Sequence, residues 1–249
     1  MGYARREHEI IVDLLEHMDH GRLARTKCFF GGGTAIVLKY GEYRRSLDID
    51  FLCSDGDGYR EIRNDIVSQG ATALFPSEAR VSRDPRLDQY SIRLQLVYRG
   101  QPVKFEIVRE VRISVTGDLD AVLKVPTLSL EDMFAEKLRA NADRCYDRAV
   151  GYRDALDLGK LVQGHGEIPE SSIEKAEAAY GADIQRKIEW TLNRLRDIGE
   201  LTDAARKFDM TPTTREPRLP ACGRPRLPHG HLPAWSSRTP EPTLPSGDS

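Results

Sequence analysis

A chain of 249 residues is long enough for one large domain or two small ones with a real core. Charged residues make up 31% of it, yet the net charge is only −2, which excludes a globally basic nucleic-acid binder and leaves room for a local basic groove. The N-terminus, MGYARREHEI, has no apolar signal core and no run approaches the length that spans a bilayer, so a cytoplasmic protein without a membrane partner is expected.

In chain order, Glu7–His20 carries apolar residues at Ile10, Ile11, Leu14, Leu15 and Met18, a helical stripe that Gly21 should end. His8, His17 and His20 on or near it read as surface residues, since no cysteine or carboxylate cluster accompanies them. The apolar run Cys28-Phe29-Phe30 leads into Gly31-Gly32-Gly33, a helix-like Thr34–Tyr40 and a stop at Gly41. Arg45–Phe51 alternates as a strand, placing Leu47, Ile49 and Phe51 on a core face and Ser46, Asp48 and Asp50 on the other. Asp57–Gln69 predicts a helix that stops at Gly70. Gln89–Arg99 and Val103–Val108 predict a hairpin turned by Gly100-Gln101-Pro102, with Arg112–Thr116 as a further edge strand. If Val103, Phe105 and Ile107 share the core face, Glu106 lies on the face of Asp48 and Asp50. The period then changes. Ser129 and Asp132 form a capping box for a helix to about Asp143, a second helix is expected over about Asp147–Val162, and Pro169 and Ala182–Ile198 continue a mainly helical half. From Thr211 to Ser249 proline, arginine, serine and glycine dominate, which predicts disorder, with RNA contact by its arginines as a weaker reading. Cys28, Cys53, Cys145 and Cys222 show no CxxC pairing or metal spacing and read as reduced thiols.

The chemistry concentrates in Gly31–Phe51. A glycine turn lets backbone N–H groups approach phosphate oxygens, and the helix that follows adds positive potential. Two carboxylates about fifteen residues further on suit the divalent cations that accompany a triphosphate. A glycine triplet alone is usually a turn and an Asp-x-Asp alone usually a solvated strand face; their combination points to a functional site.

These residues resemble a known superfamily. Gly32-Gly33-Thr34 followed by Arg45, Ser46, Asp48 and Asp50 is similar to the DNA polymerase beta-type nucleotidyltransferases. The later runs Ala135-Glu136-Lys137-Leu138-Arg139-Ala140 and Tyr152-Arg153-Asp154-Ala155-Leu156-Asp157-Leu158 narrow the resemblance to the AbiEii/AbiGii toxin family. The resemblance covers roughly Phe29 to Leu161 and implies an α+β fold; with the order of the predicted elements this gives a polymerase beta-like nucleotidyltransferase core with a small mixed sheet over residues 1–126 and a helical domain over 127–210, while the Pro/Arg-rich tail over 211–249 departs from the resemblance. It also implies a metal-dependent nucleotidyltransferase toxin of a type IV toxin–antitoxin or abortive-infection system. Gly32, Gly33, Thr34, Arg45 and Ser46 would bind the nucleotide, Asp48 and Asp50 the metals with Glu106 as a third carboxylate, Lys137 the phosphates or the reacting oxygen, and Asp154, supported by Arg153, would complete the catalytic set. Implied with these are Mg²⁺, with Mn²⁺ as second choice, a nucleoside triphosphate as substrate, an RNA acceptor such as a tRNA 3′ end, and a cognate antitoxin. Transfer to a small molecule such as an aminoglycoside, and a non-catalytic nucleotide-binding module, are the alternative readings.

Overall fold

The computed structural model describes residues 2–210. The tail over 211–249, with Cys222, lies outside the described residues. The alternating segments pair into strands as their apolar spacing predicts. β4 (Ser91–Tyr98) and β5 (Gln101–Arg109) form an antiparallel hairpin in which Arg93 faces Glu106 and Gln95 faces Lys104. Its corner is Arg99-Gly100, both at positive φ, the two-residue geometry that matches the twist of a hairpin. Gln101 and Pro102, expected in the turn, therefore belong to β5.

β5 runs parallel to β2 (Ile49–Cys53), and β2 antiparallel to β1 (Cys28–Gly31). With β3 (Arg80–Leu87) at one edge and β6 (Gly117–Leu119) and β7 (Pro126–Leu128) at the other, the mixed sheet has the order β3-β4-β5-β2-β1-β7-β6. One face is apolar: Ile49, Phe51, Ile92, Leu94, Leu96, Val103, Phe105 and Ile107 are buried. They share a core with Ile11, Leu14 and Leu15 of α1 (Arg6–Glu16) and with Tyr59, Ile62 and Ile66 of α4 (Gly56–Gln69). Burying side chains of this size stabilises by about 1.5–3 kcal/mol each, so the core face fixes the strand register and thereby which side chains point away from it.

The same core extends into the helical half through Phe134 and Leu138 of α5 (Leu130–Arg144), Leu158 and Leu161 of α6 (Arg153–His165), Ala176 of α7 (Glu170–Tyr180) and Ile184 of α8 (Asp183–Leu195). Ser129 caps α5 by accepting from the Asp132 N–H at 3.2 Å, one half of the expected capping box; the reciprocal bond is not made, since the Ser129 N–H donates to the Thr116 carbonyl and Asp132 Oδ2 accepts from the Thr116 N–H at 2.7 Å. α9 (Ile198–Lys207) closes the described chain. Beyond it the Phe208 carbonyl accepts from the Arg45 N–H at 3.0 Å, and the Arg5 guanidinium donates to the Asp209 carbonyl at 2.8 Å.

Several expectations need correction. The strand expected from Arg45 begins only at Ile49, because its partner β1 is four residues long and their register ends at Gly31 opposite Asp50. Asp48 therefore precedes the strand. Gly31 itself ends β1 in extended conformation and is not part of the turn. The second helix of the helical half starts at Arg153 instead of Asp147, since Gly151 and Tyr152 both take positive φ (62° and 60°). Gly21 lies inside a further short helix, α2 (His20–Arg25). Arg112–Thr116 is not a strand; β6 lies just after it, and β3 and β7 have no counterpart among the expected strands. His8 is fully buried, with Nδ1 2.7 Å from Glu42 Oε1, and is not a surface residue. Among the described residues no helix is long and apolar enough to cross a membrane.

Candidate active site

The turn from β1 into α3 (Gly32–Lys39) is where sheet and helices meet. Gly32 has φ +68°, and a Cβ there would lie 2.9 Å from Asp50 Oδ2. At Gly33 the restriction is space: a Cβ would fall 2.1 Å from Arg44 Nη2 and 3.2 Å from Asp157 Oδ2. Glycine is required at both, for conformation at the first and close approach at the second. One side of the turn thus touches Asp50 and the other touches a buried ion cluster, while the first amides of α3 are unsatisfied helix N–H groups of the kind that bind anions.

On the sheet side, Asp50 stands opposite Glu106 in the parallel β2–β5 register. Its carboxyl is pushed up to about 6, first by burial and then by the negative charges of Asp48 and Glu106; Lys104 and Lys137 act in the opposite sense. Asp50 is half-buried and has no hydrogen-bond or ion-pair partner among the described residues. Glu106 is held by Arg93 (Nε to Oε1, 2.6 Å), and Asp48, about half exposed, lies 3.8 Å from Lys104 Nζ. Among the described residues no three such groups converge closely enough to hold a metal ion by themselves. The donor set nonetheless fits a hard divalent cation: all-oxygen, anionic, mutually repelling, with Asp50 left uncompensated.

On the helical side, Lys137 of α5 donates to two carboxylates one turn apart on α6, Asp157 Oδ2 at 2.6 Å and Asp154 Oδ1 at 3.1 Å. Arg44 donates to both oxygens of Asp157 (2.7 and 2.9 Å), and the Tyr43 hydroxyl donates to its Oδ1 at 2.5 Å. Arg144 donates to Asp154 Oδ2 at 2.7 and 3.1 Å. Asp157 is fully buried; burial alone would raise its carboxyl, but Lys137 and then Arg44 outweigh it and hold it at about 2. Burial likewise pushes the Tyr43 phenol up, so it remains a donor.

The residues expected from the sequence are partly gathered here. Gly32 and Gly33 make the turn, Asp50 lies against the first, Lys137 stands behind the second through Asp157, and Thr34 Oγ1 lies 2.9 Å from Ser46 Oγ just inside α3. Asp154 reaches this centre through Lys137. Arg45 stands apart: its side chain is about half exposed and 3.5 Å from Glu7, on the rim of a cavity of about 310 Å³ that Ser46, Asp48, Arg153 and Lys207 also line. Its neighbour Arg44 is the one that enters the cluster. Sequence reasoning misses Arg44, Tyr43 and Asp157. A usable signal exists for Asp157, which lies three residues after Asp154 on the same helix face.

Residues 13–226 match the sequence model of a family described as "Nucleotidyl transferase AbiEii toxin, Type IV TA system". No curated protein matches the chain. Among solved structures it is similar to an antigenic nucleotidyltransferase-like protein from Paracoccidioides brasiliensis (17% identity, 82% of this chain and 94% of that one, TM-score 0.47). It is also similar to JHP933 from Helicobacter pylori (18% identity, 81% and 100%, TM-score 0.40). MenT4, a nucleotidyltransferase toxin from Mycobacterium tuberculosis H37Rv, is a further similar structure (16% identity, 80% and 85%, TM-score 0.30).

Proposed function

The chain belongs to the AbiEii nucleotidyltransferase toxins of type IV toxin–antitoxin systems, and we propose that it transfers a nucleotide from a nucleoside triphosphate to a hydroxyl of an RNA acceptor, a tRNA 3′ end being the first candidate, with release of pyrophosphate. Membership implies an antitoxin partner as well. The observation that supports the reading is the meeting of Asp50 and of the Lys137–Asp157–Arg44 cluster on opposite sides of one glycine turn at a helix N-terminus.

In this reading residues 1–126 are the nucleotidyltransferase core, and 127–210 a helical domain that contributes Lys137. The triphosphate lies over Gly32 and Gly33, accepting from the first amides of α3, with Thr34 and Ser46 as hydroxyl donors beside them and Arg45 and Arg153 at the rim. Asp48 and Asp50, with Glu106 as a third carboxylate, hold Mg²⁺ or, as second choice, Mn²⁺, which supplies positive charge to the phosphates when bound. The acceptor oxygen attacks the α-phosphorus, the bond to pyrophosphate breaks, and the hydroxyl proton leaves to a site carboxylate. Lys137 offsets the negative charge that builds on the phosphates, a preorganised electrostatic contribution that dominates such reactions. Asp154 and Asp157 orient it: each oxygen of Asp154 is engaged by a cation, which suits a positioning role better than that of a base.

The test is direct. Wild-type protein incubated with labelled nucleoside triphosphates, Mg²⁺ and total RNA labels the RNA, while Asp48→Ala, Asp50→Ala and Lys137→Ala lose about 100-fold or more of that activity, on the order of one missing electrostatic contact. Equal labelling by wild type and variants, or labelling of an aminoglycoside in place of RNA, overturns the assignment.

A further inference from the structure

The strand register carries the site's face outward onto a basic surface. Residues directly opposed in neighbouring strands point to the same side of a sheet. Asp50 is opposed to Glu106, Glu106 to Arg93, and Arg93 to Arg86, one row across β2, β5, β4 and β3. With strands about 4.8 Å apart, that row ends about 14 Å from Asp50. The next row sets Lys104 beside Gln95 and Arg83; the one after sets Val97 beside Arg80. Ile92, Leu94 and Leu96 of β4 point the other way, into the core.

Five cations, Arg80, Arg83, Arg86, Arg93 and Lys104, therefore share the open face that begins at the Asp50–Glu106 pair. The whole chain has a net charge of −2, so this is a local concentration. Arg93 has Glu106 and Lys104 has Asp48, but Arg80, Arg83 and Arg86 are exposed and have no ion-pair partner among the described residues. Arg86 directly opposite Arg93 is a like-charge pair, which works against the fold. Charges on an edge strand also deter edge-to-edge aggregation. That role does not ask for the face that leads to the site, where the opposed residues of β3 are Arg80, Arg83 and Arg86. No aromatic side chain stands in these rows, so the surface is built to hold a phosphate backbone and not to stack or read bases.

We propose that the open face of β3, β4 and β5 is the surface on which the RNA acceptor's phosphate backbone docks, leading its reactive hydroxyl to Asp48 and Asp50. This rests on the RNA-acceptor reading above. It predicts affinity with little sequence preference and strong salt dependence.

The experiment compares the full chain with the triple variant Arg80→Glu, Arg83→Glu, Arg86→Glu, three exposed positions outside the site. Fluorescence anisotropy with a labelled unstructured RNA and with total tRNA is measured across salt concentrations, beside binding of a fluorescent triphosphate analogue and a thermal melt. The variant is expected to bind RNA about tenfold or more weakly, with the salt slope reduced by about 2 for three lost contacts to a single strand; triphosphate affinity stays unchanged and the melting temperature does not fall, since Arg86→Glu replaces a like-charge pair with Arg93 by an opposite-charge one. RNA binding by the variant equal to wild type overturns the proposal, as does wild-type affinity that does not respond to salt, or loss in the variant of antitoxin binding alone. The transfer assay separates this from the function. Label transfer to RNA with an unchanged KM for RNA in the variant removes the docking surface and leaves the transferase. RNA binding that the variant loses, in a wild type that transfers no label, does the reverse.

Discussion

Asp50 lies against Gly32 and Asp157 against the adjacent Gly33, in opposite electrostatic surroundings. Asp157 is enclosed by Lys137, Arg44 and Tyr43, and its charge is fully compensated inside the fold. Asp50 has two carboxylates near it and no partner among the described residues. The helical side of the turn is thus finished without a ligand, whereas the sheet side carries a carboxylate with no direct partner, which a proton or a bound cation would neutralise. A buried pair like the first is strongly destabilising to break even where its net worth is small, because the survivor stays buried. A lone half-buried carboxylate like the second is a standing cost to the fold, of the kind functional sites retain.

The largest effect expected from this contrast is that of Asp157→Asn. It leaves Lys137 and Arg44 short of one negative charge in a dry environment and should lower unfolding free energy by about 3–5 kcal/mol, read from denaturant midpoints. A loss below about 1 kcal/mol would mean that the cluster is not held together by charge. Next in size is the acid limb of the wild type. Asp157 has a folded pKa of about 2 against about 3.9 unfolded, so the unfolded chain binds more protons between those values. Its contribution of about 2–3 kcal/mol is complete above about pH 4 and lost as pH falls from about 4 to 2; a stability profile of Asp157→Asn should lack that limb.

The smallest effect has the opposite sign. The folded pKa of Asp50, about 6, lies above the unfolded value, so the folded state binds more protons between about 4 and 6 and stability declines as pH rises through that window. Asp50→Asn should therefore raise stability at pH 7 by about 1–2 kcal/mol after allowance for partial solvent screening. Mg²⁺ should raise the melting temperature of the wild type and not that of the variant. A destabilised Asp50→Asn would remove the asymmetry between the two sides of the turn.

Alternation and turn residues make much of the sheet legible in the sequence: Leu94 and Leu96 against Arg93 and Gln95 is a pattern only a half-buried strand produces, and once Val103, Phe105 and Ile107 are given the core face, Glu106 falls on the face of Asp50, where the register pairs them. β3 is illegible because it is exposed along nearly its whole length and has no apolar alternation to detect. β7 is three buried residues, too short for a period to show. At the site, Gly32, Gly33 and Asp50 are readable from local spacing. Lys137 and Asp154 are reached by family resemblance. Arg44 escapes because its partner Asp157 is 113 residues away, and nothing in a local window tells an arginine that enters a core from its neighbour Arg45, which stays half in water.

The loop preceding Asp48 is held by residues just after α9, far along the chain from it. The Arg45 amide binds the Phe208 carbonyl, and the Arg44 guanidinium lies over the Phe208 ring, with its centre 5.9 Å from the ring centroid. The loop that leads into Asp48 is thus tied to the far side of the helical half, and a change at Phe208 would be felt beside the carboxylates.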